Sequence, residues 1–273
     1  MTTLPLALRH GLAVDFALLV ISFKRRAAYR TQWLVGSLVS GTELLTALAL
    51  WSAVLAERGQ VGGYDWDAMR TYYVIAFVTA AVAFGGTEGI AAQRILDGMV
   101  AIDLLKPVDF QRARAAEYTG SILGNLPTLG IGLTVSALFL DPLPPASFAA
   151  GALSVASVLL IIPLAFGLMF LSIMLCFWTR SYHGVLWSRR TITAFFSGAM
   201  IPLALMPDAV QAVAAWLPFV HITTTPSNIY LGRVDTMEAI GLVALEVAWC
   251  VALWLLGRVL WSRAVKVVTV HGG

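Results

Sequence analysis

The chain has 273 residues, of which 59% are hydrophobic and 12% are charged, and its mean hydropathy is +0.82. Soluble domains carry roughly a quarter charged residues. About half of this chain falls in apolar stretches of about 20 residues, long enough to cross the hydrocarbon core of a bilayer as helices. These figures exclude a secreted disulfide-rich protein, a cytosolic enzyme with a membrane tail, and a chain that also holds a full nucleotide-binding domain. They predict an all-α integral membrane protein with a single transmembrane domain over residues 1–273.

Six transmembrane helices are predicted from the apolar stretches. They lie near Leu34–Leu55, Thr71–Gln93, Thr119–Leu140, Ala149–Phe177, Ile192–Met206 and Ala239–Gly257. The fourth contains Pro163, which lacks the donor for one backbone hydrogen bond, so this helix is expected to tilt or bend. The fifth is short, contains Gly198 and Pro202, and ends at Pro207. An incomplete crossing is therefore expected there.

The basic residues predict how the chain is threaded through the membrane. With the N-terminus in the cytoplasm, all of the 18 Lys and Arg residues except Arg58, Arg70 and Arg233 fall on the cytoplasmic side. Such a bias is what the positive-inside rule requires. Both termini are therefore predicted to be cytoplasmic. The net charge of +3 is then explained by orientation and lipid headgroup contact, not by nucleic-acid binding.

The N-terminal segment, residues 1–33, is predicted to be cytoplasmic or interfacial. Its apolar run Gly11–Phe23 is 13 residues long and lies between Arg9 and the basic run Lys24–Arg26. This run is too short to cross a membrane comfortably. Apolar residues at helical spacing favour a helix that lies in the cytoplasmic interface. A seventh, buried span is the alternative.

The longest cytoplasmic connection, residues 94–118, mixes acidic and basic residues with short apolar groups. Its leucines cannot all face water comfortably, and its charges cannot all face lipid. A protein partner would resolve this conflict, whereas a loop that rests on the protein's own helix ends is the alternative. Gly98 and Pro107 are expected to bracket a short helix, because proline disfavours helical geometry at the preceding Lys106.

The outer segment, residues 207–235, is unusually apolar for a loop. Asp208 can cap a helix over Ala209–Leu217, which is too short to span and is predicted to be re-entrant. Return through Pro218 would place His221 and a polar run near the outer surface; the run comprises Thr223, Thr224, Thr225, Ser227 and Asn228. We predict an outer gate formed by Pro207, Trp216, Pro218, Phe219 and His221. A flat interfacial helix without a gating role is the alternative.

Three carboxylates, Glu43, Glu88 and Glu246, are predicted at membrane depth without a basic partner in the spans. They would serve in hydrogen bonds between helices, in cavity lining or in proton coupling. Gly120 and Gly124 have the spacing of small residues at close helix contacts. The chain has no phosphate-binding loop, no histidines at metal-ligand spacing and no nucleophile motif. No catalytic residue, cofactor site or metal site is therefore predicted on this chain.

Three parts of the sequence carry a resemblance to a known family. They are Tyr29-Arg30-Thr-Gln-Trp33 with Gly63-Tyr64; the segment Gly98–Asp109; and a C-terminal series of short motifs at Phe177-Trp178, Ser197-Gly198, Ile201-Pro202, Met206-Pro207, Leu217-Pro218-Phe219, Pro226 and Leu231-Gly232. Together they resemble the membrane subunit of ABC-2 type transporters, specifically the small bacterial six-span permeases. The C-terminal motifs are the most specific.

The resemblance implies a type V exporter-like permease in the bacterial plasma membrane. A separate dimeric ATP-binding cassette ATPase would carry ATP and Mg²⁺, and a second permease chain, identical or related, would complete the path. The segment received by the ATPase would comprise Asp97, Gly98, Ile102, Asp103, Leu104, Leu105, Lys106, Pro107 and Asp109. An ion- or proton-coupled secondary transporter that uses the three carboxylates is the alternative, and a membrane assembly protein without transport is a third hypothesis.

Overall fold

The structure is a computed structural model that describes residues 6–28, 30–85, 88–179 and 181–267. Regular structure in these ranges is helical. The helices are α1 (Leu6–Ala28), α2 (Arg30–Arg58), α3 (Trp66–Phe84), α4 (Glu88–Leu96), α5 (Val100–Leu104), α6 (Phe110–Leu123), α7 (Leu126–Phe139), α8 (Phe148–Leu175), α9 (Tyr182–Phe196), α10 (Asp208–Ala215), α11 (Val220–Tyr230) and α12 (Thr236–Ala264), with 3₁₀ turns at Leu203–Leu205 and Val265–Val267. Tyr29 of the first family motif, Arg180 and both extreme termini lie outside the described residues.

Five stretches in the described part of the chain are long and apolar enough to cross a membrane. They are Leu34–Arg58, Trp66–Leu96, Phe110–Phe139, Phe148–Leu175 and Thr236–Ala264. The predicted fifth span, Ile192–Met206, is not such a helix, because α9 ends at Phe196 and Gly198 turns the chain with a φ of +81°. The expected interruption is therefore present. A sixth stretch of this kind is not found in the described ranges, and α1 does not form one.

Short polar side chains begin four of the long helices. A carboxylate or hydroxyl oxygen of Asp65, Asp109, Ser147 and Asp235 accepts a hydrogen bond from the backbone N–H three residues later, over 2.8 to 3.0 Å. These bonds satisfy donors that have no partner within the helix. The starts of α3, α6, α8 and α12 are thus determined locally. Helix α8 continues through Pro163 to Leu175.

Helix α8 is the centre of the bundle, and it contacts α3, α4, α6, α9, α11 and α12. Its second half, from Ile161 to Met174, supplies half of the largest fully buried side chains among the described residues. Gly167 lies against Leu253 of α12, where a side chain would collide with the leucine. Aromatic rings join this core to α6 and α12: Phe110 stacks on Trp261 with ring centroids 4.1 Å apart. The bundle is therefore built outward from the most apolar helix.

Helices α1 and α6 lie side by side and run in the same direction. Arg112 pairs with Asp15, Gly120 lies on the backbone of Leu19, and Asn125 accepts a 2.7 Å hydrogen bond from Arg26. The spacing of Gly120 and Gly124 predicted a close helix contact, which is confirmed because both glycines face α1. Small residues permit this approach of two backbones.

We expect Gly120→Ala to destabilise the packing of α1 on α6. A Cβ at position 120 would overlap the carbonyl of Leu19, which cannot rotate away as a side chain could. Overpacking of this kind costs about 1–3 kcal/mol. The thermal midpoint of the purified protein in detergent should fall, and trypsin should cleave faster in the basic run Lys24–Arg26.

Gly130→Ala is the matched control for this change. Gly130 lies in α7, and a Cβ there would meet no atom within 4 Å. Both substitutions gain the same helix propensity, roughly 0.5–1 kcal/mol. Equal thermal midpoints for the two variants would contradict the close packing at Gly120.

Candidate functional site

The candidate coupling segment, residues 97–109, connects α4 to α6 at one end of the bundle. Gly98 turns the chain with a φ of +69°, which is costly for any residue with a side chain. Helix α5 follows over Val100–Leu104, and Pro107 lies beyond it. The short helix predicted between Gly98 and Pro107 is therefore present.

A buried ion cluster anchors α5. The Asp103 side chain is buried and accepts hydrogen bonds from Arg94 Nη2 at 2.7 Å and from Lys106 Nζ at 2.8 Å. Burial alone would raise the pKa of the Asp103 carboxyl, but these hydrogen bonds hold the pKa below its ordinary value. The cluster therefore stabilises the fold at neutral pH. This contribution is lost only as the pH falls through the lowered pKa.

The apolar side chains of the same segment point outward. Leu105 is 84% exposed, and Met99, Ile102 and Leu104 are also exposed. We call these four residues the coupling surface. Within residues 97–109, Val100 is the one apolar residue that is buried. Because a charged side chain is buried here while leucines face outward, the arrangement is the reverse of an ordinary surface loop, and it favours a partner over a loop resting on its own helix ends.

Asp109 joins the coupling segment to the rest of the bundle. Its carboxylate caps α6 and also forms an ion pair with Arg258 of α12. Gln111, the second residue of α6, donates a 3.0 Å hydrogen bond to the carbonyl of Trp254 in α12. At the other end of the segment, Arg94 belongs to α4. A displacement of α5 would thus act on α4, α6 and α12 together.

The polar run after Phe219 is mostly buried within the bundle. It forms α11, which packs against α8 and α3. The Thr223 hydroxyl lies 3.0 Å from the hydroxyl of Thr79, and Thr224 donates a 2.8 Å hydrogen bond to the carbonyl of Ser197. Hydroxyl pairs of this kind let polar residues pack between helices. The run therefore serves helix contacts.

The segment from Leu203 to Tyr230 enters the bundle and returns. Leu205 packs with Tyr64 at the end of the bundle where α3 begins. Helix α10 follows, and α11 begins near Thr79, which lies thirteen residues into α3 and hence about 20 Å along its axis. Helix α11 then ends beside the start of α8, where the Tyr230 hydroxyl donates to the carbonyl of Leu143 at 3.1 Å. We call Asp208–Tyr230 the outer hairpin, after the side of the membrane predicted for it from the sequence.

The predicted gate residues occupy different places in the outer hairpin. Trp216 is 82% exposed, whereas the Phe219 ring lies 6.3 Å from that of Phe196. His221 is fully buried, and its Nδ1 lies 3.1 Å from the Thr225 hydroxyl. The predicted capping role of Asp208 is wrong: Pro207 occupies the N-cap position, and no side chain there bonds to the helix. Pro218 ends the turn between the two helices.

Glu88 does have basic partners, so the prediction that the three membrane carboxylates lack them is wrong for this residue. Glu88 is buried at the start of α4 and pairs with Arg189 and Arg190 of α9. Arg190 Nε donates to it at 2.8 Å. The guanidinium of Arg189 also lies 5.8 Å from the centre of the Phe84 ring. The sequence held a signal, since Arg189 and Arg190 come just before the apolar run predicted as the fifth span.

Glu246 is buried in the bundle, whereas Glu43 is exposed on its surface. Glu246 of α12 is fully buried and accepts a 2.7 Å hydrogen bond from Ser157 of α8. Glu43 lies on the exposed face of α2. No hydrogen bond or ion pair in the described part of the chain joins these two carboxylates to each other or to Glu88. The three therefore do not form one relay within a single chain. In the same ranges, no group of three His, Cys, Asp or Glu residues has the arrangement of a metal site.

Fold and composition together define a multi-pass, all-α membrane protein. A family profile described as ABC-2 family transporter protein matches residues 42–272, which is most of the chain. The chain belongs to this family of ABC transporter permeases. The resemblance first drawn from short motifs is thereby confirmed. Comparisons with curated proteins and with solved structures found no match.

Proposed function

We propose that this chain is the permease subunit of an ABC exporter in the bacterial plasma membrane, acting as one domain over residues 1–273. ATP and Mg²⁺ would be bound by a separate dimeric ATPase, and this chain would catalyse no reaction itself. The observation that carries the proposal is the coupling surface. Four exposed apolar residues there are held in place by the buried Asp103 cluster. Exposed apolar side chains held together in this way are typical of a binding site for another protein.

In this proposal, the coupling segment and both termini lie in the cytoplasm. Helix α1 lies in the inner interface, where its exposed apolar residues Leu12, Phe16 and Ile21 contact lipid. The outer hairpin then enters from the opposite side as a re-entrant element. Irregular backbone at membrane depth requires protein or water around it. The burial of α11 against α3 and α8 meets that requirement.

ATP-driven closure of the ATPase dimer would move the coupling segment and, with it, the membrane helices. The links are Arg94 to α4, the Asp109 cap on α6, and the Asp109–Arg258 pair to α12. Interfaces of packed helices shift between discrete arrangements instead of deforming gradually. The outer hairpin, with the exposed Trp216 and the less exposed Phe219, would then move and open the outer end of the translocation path.

A second permease chain, identical or related, would complete the translocation path. Helix α2 supports this because few of its residues are buried, and Glu43 lies on its exposed face among apolar residues such as Val39 and Leu45. A carboxylate facing lipid is costly unless it is paired or hydrated. A partner helix or a hydrated path between two chains would remove that cost.

Purification of the tagged chain from its native cell in mild detergent, followed by mass spectrometry, tests the proposal. We expect an ATP-binding subunit at about one copy per permease chain, since a dimeric permease would bind a dimeric ATPase. A second permease species in the same fraction would indicate a heterodimer. Recovery of this chain alone in several detergents would contradict the proposal and favour transport coupled through the carboxylates.

A further inference from the structure

A half-open cavity of about 240 Å³ lies between α1, α4, α5 and α6. It shares no residue with the coupling surface. Its lining residues Asp103 and Lys106 flank Leu104 and Leu105 of that surface in the sequence. Six charged side chains line it: Arg25, Arg94, Lys106 and Arg114, opposed by Asp103 and Glu117. The cavity therefore carries an excess of two positive charges. An excess of cations at a concave site attracts an anion.

Arg114 is the buried donor in this cavity. Only 8% of the residue is exposed, and its Nε has no hydrogen-bond partner within the described structure. Its Nη1 lies 2.9 Å from Glu117, and its guanidinium carbon is 5.3 Å from the centre of the Phe110 ring. A buried guanidinium N–H without an acceptor is costly. Because Arg114 lines the cavity, its buried charge adds to the positive potential there.

The walls indicate which kind of anion fits. Val14 and Leu18 of α1 and Ile90 of α4 add apolar side chains to the charged lining. On the outside of α1, Leu12, Phe16 and Ile21 are exposed. A molecule with a phosphate next to an apolar part matches both the charged and the apolar side chains of the lining. Guanidinium groups form strong, charge-assisted hydrogen bonds to phosphate oxygens.

We propose that this cavity binds the phosphate of an acidic phospholipid from the inner leaflet. This inference rests on the interfacial position of α1 in the proposed function but not on the ATPase partnership. The bound headgroup would bridge Arg25 of α1 to Arg114 of α6, next to the anchor of the coupling segment at Asp103. It would thereby hold α1 against the element that is proposed to move. A free phosphate ion shares the same recognition chemistry, so the test separates the two sources.

The test counts lipids that stay bound to the purified full-length chain in native mass spectrometry. The probes are phosphatidylglycerol and phosphatidylcholine, each added to delipidated protein. We expect one phosphatidylglycerol to be retained per chain under conditions that remove phosphatidylcholine. In Arg25→Gln the retained fraction should fall about tenfold, since a lost charge-assisted bond to phosphate has about that effect. Arg25 is exposed, so folding should be unaffected.

Lys24→Gln is the matched control because Lys24 is the preceding residue of α1, is also exposed, and does not line the cavity. Both variants lose one positive charge, so a diffuse attraction to acidic lipid would weaken equally in the two. Equal retention in these variants would overturn the proposal. Titration with inorganic phosphate is the second arm. Saturable phosphate binding that requires Arg25, without preferential retention of phosphatidylglycerol, would assign the cavity to free phosphate and overturn the lipid assignment.

Discussion

Replacing Leu104 and Leu105 together with glutamate is expected to prevent the ATPase from binding to the permease. Leu105 is the most exposed apolar residue of the coupling surface, and Leu104 lies beside it at the end of α5. Each buried leucine would contribute roughly 1.5–3 kcal/mol to an interface, and each new carboxylate would lose hydration there. The amount of ATPase that co-purifies should drop by more than about tenfold, because every 1.4 kcal/mol corresponds to a factor of ten in affinity. Transport should be lost with it.

The matched control is Leu104→Met with Leu105→Met. Methionine preserves the apolar character and nearly the volume of leucine, so association should persist. Both double variants should retain the thermal midpoint of the wild type, since the exposed leucines contribute little to the fold. If a folded glutamate variant retained the wild-type amount of ATPase, the coupling surface would have no part in docking.

The second large effect is expected for Glu88→Gln. This change leaves Arg189 and Arg190 opposite a neutral amide, although Arg189 is buried and its Nε already lacks a partner in the described structure. Removing one member of a buried ion pair costs about 3–5 kcal/mol because the remaining charge is uncompensated. The thermal midpoint of the purified chain should therefore fall clearly. The loss should also loosen α9 from α4, the helix that leads into the coupling segment.

Two further variants make this result specific. Glu57→Gln removes a carboxylate from the exposed end of α2 and should leave the midpoint unchanged. Glu88→Gln combined with Arg189→Gln should recover part of the lost stability, because the buried positive charge disappears as well. An additive loss in the double variant would mean that Glu88 and Arg189 act independently, against the direct pairing seen here.

Local patterns in the sequence were enough to predict much of the fold. The apolar lengths indicated the long helices, and Gly198 with Pro202 indicated the interruption after α9. Gly98 and Pro107 predicted α5 for a local reason: one residue adopts a positive φ and the other cannot continue a helix. The candidate coupling residues followed from the same segment, because its mixture of charges and leucines suits neither water nor lipid.

Contacts between residues far apart in the sequence could not be predicted from these local patterns. Glu88 and Arg189 are 101 residues apart, and only the packing of α4 and α9 against α8 brings them together. The prolines predicted a chain that returns through Pro218, which would place the polar run of α11 near the outer surface. They gave no indication that Thr223 pairs with Thr79, 144 residues away, within the bundle. The spacing of residues within one segment identifies neither Arg189 as the partner of Glu88 nor Thr79 as the partner of Thr223.

The sequence by itself determined that this chain is a helical membrane protein, that its helical structure breaks at Gly98 and after α9, and which family it belongs to. These properties depend on hydropathy, capping and backbone preference, which act over a few neighbouring residues. The tertiary structure alone decided which charges are compensated, that α1 runs beside α6, and that Asp103 is buried while Leu105 is exposed. The reason is that the free energy of a charge or a leucine depends on the groups around it, and helix packing brings those groups together from remote parts of the chain.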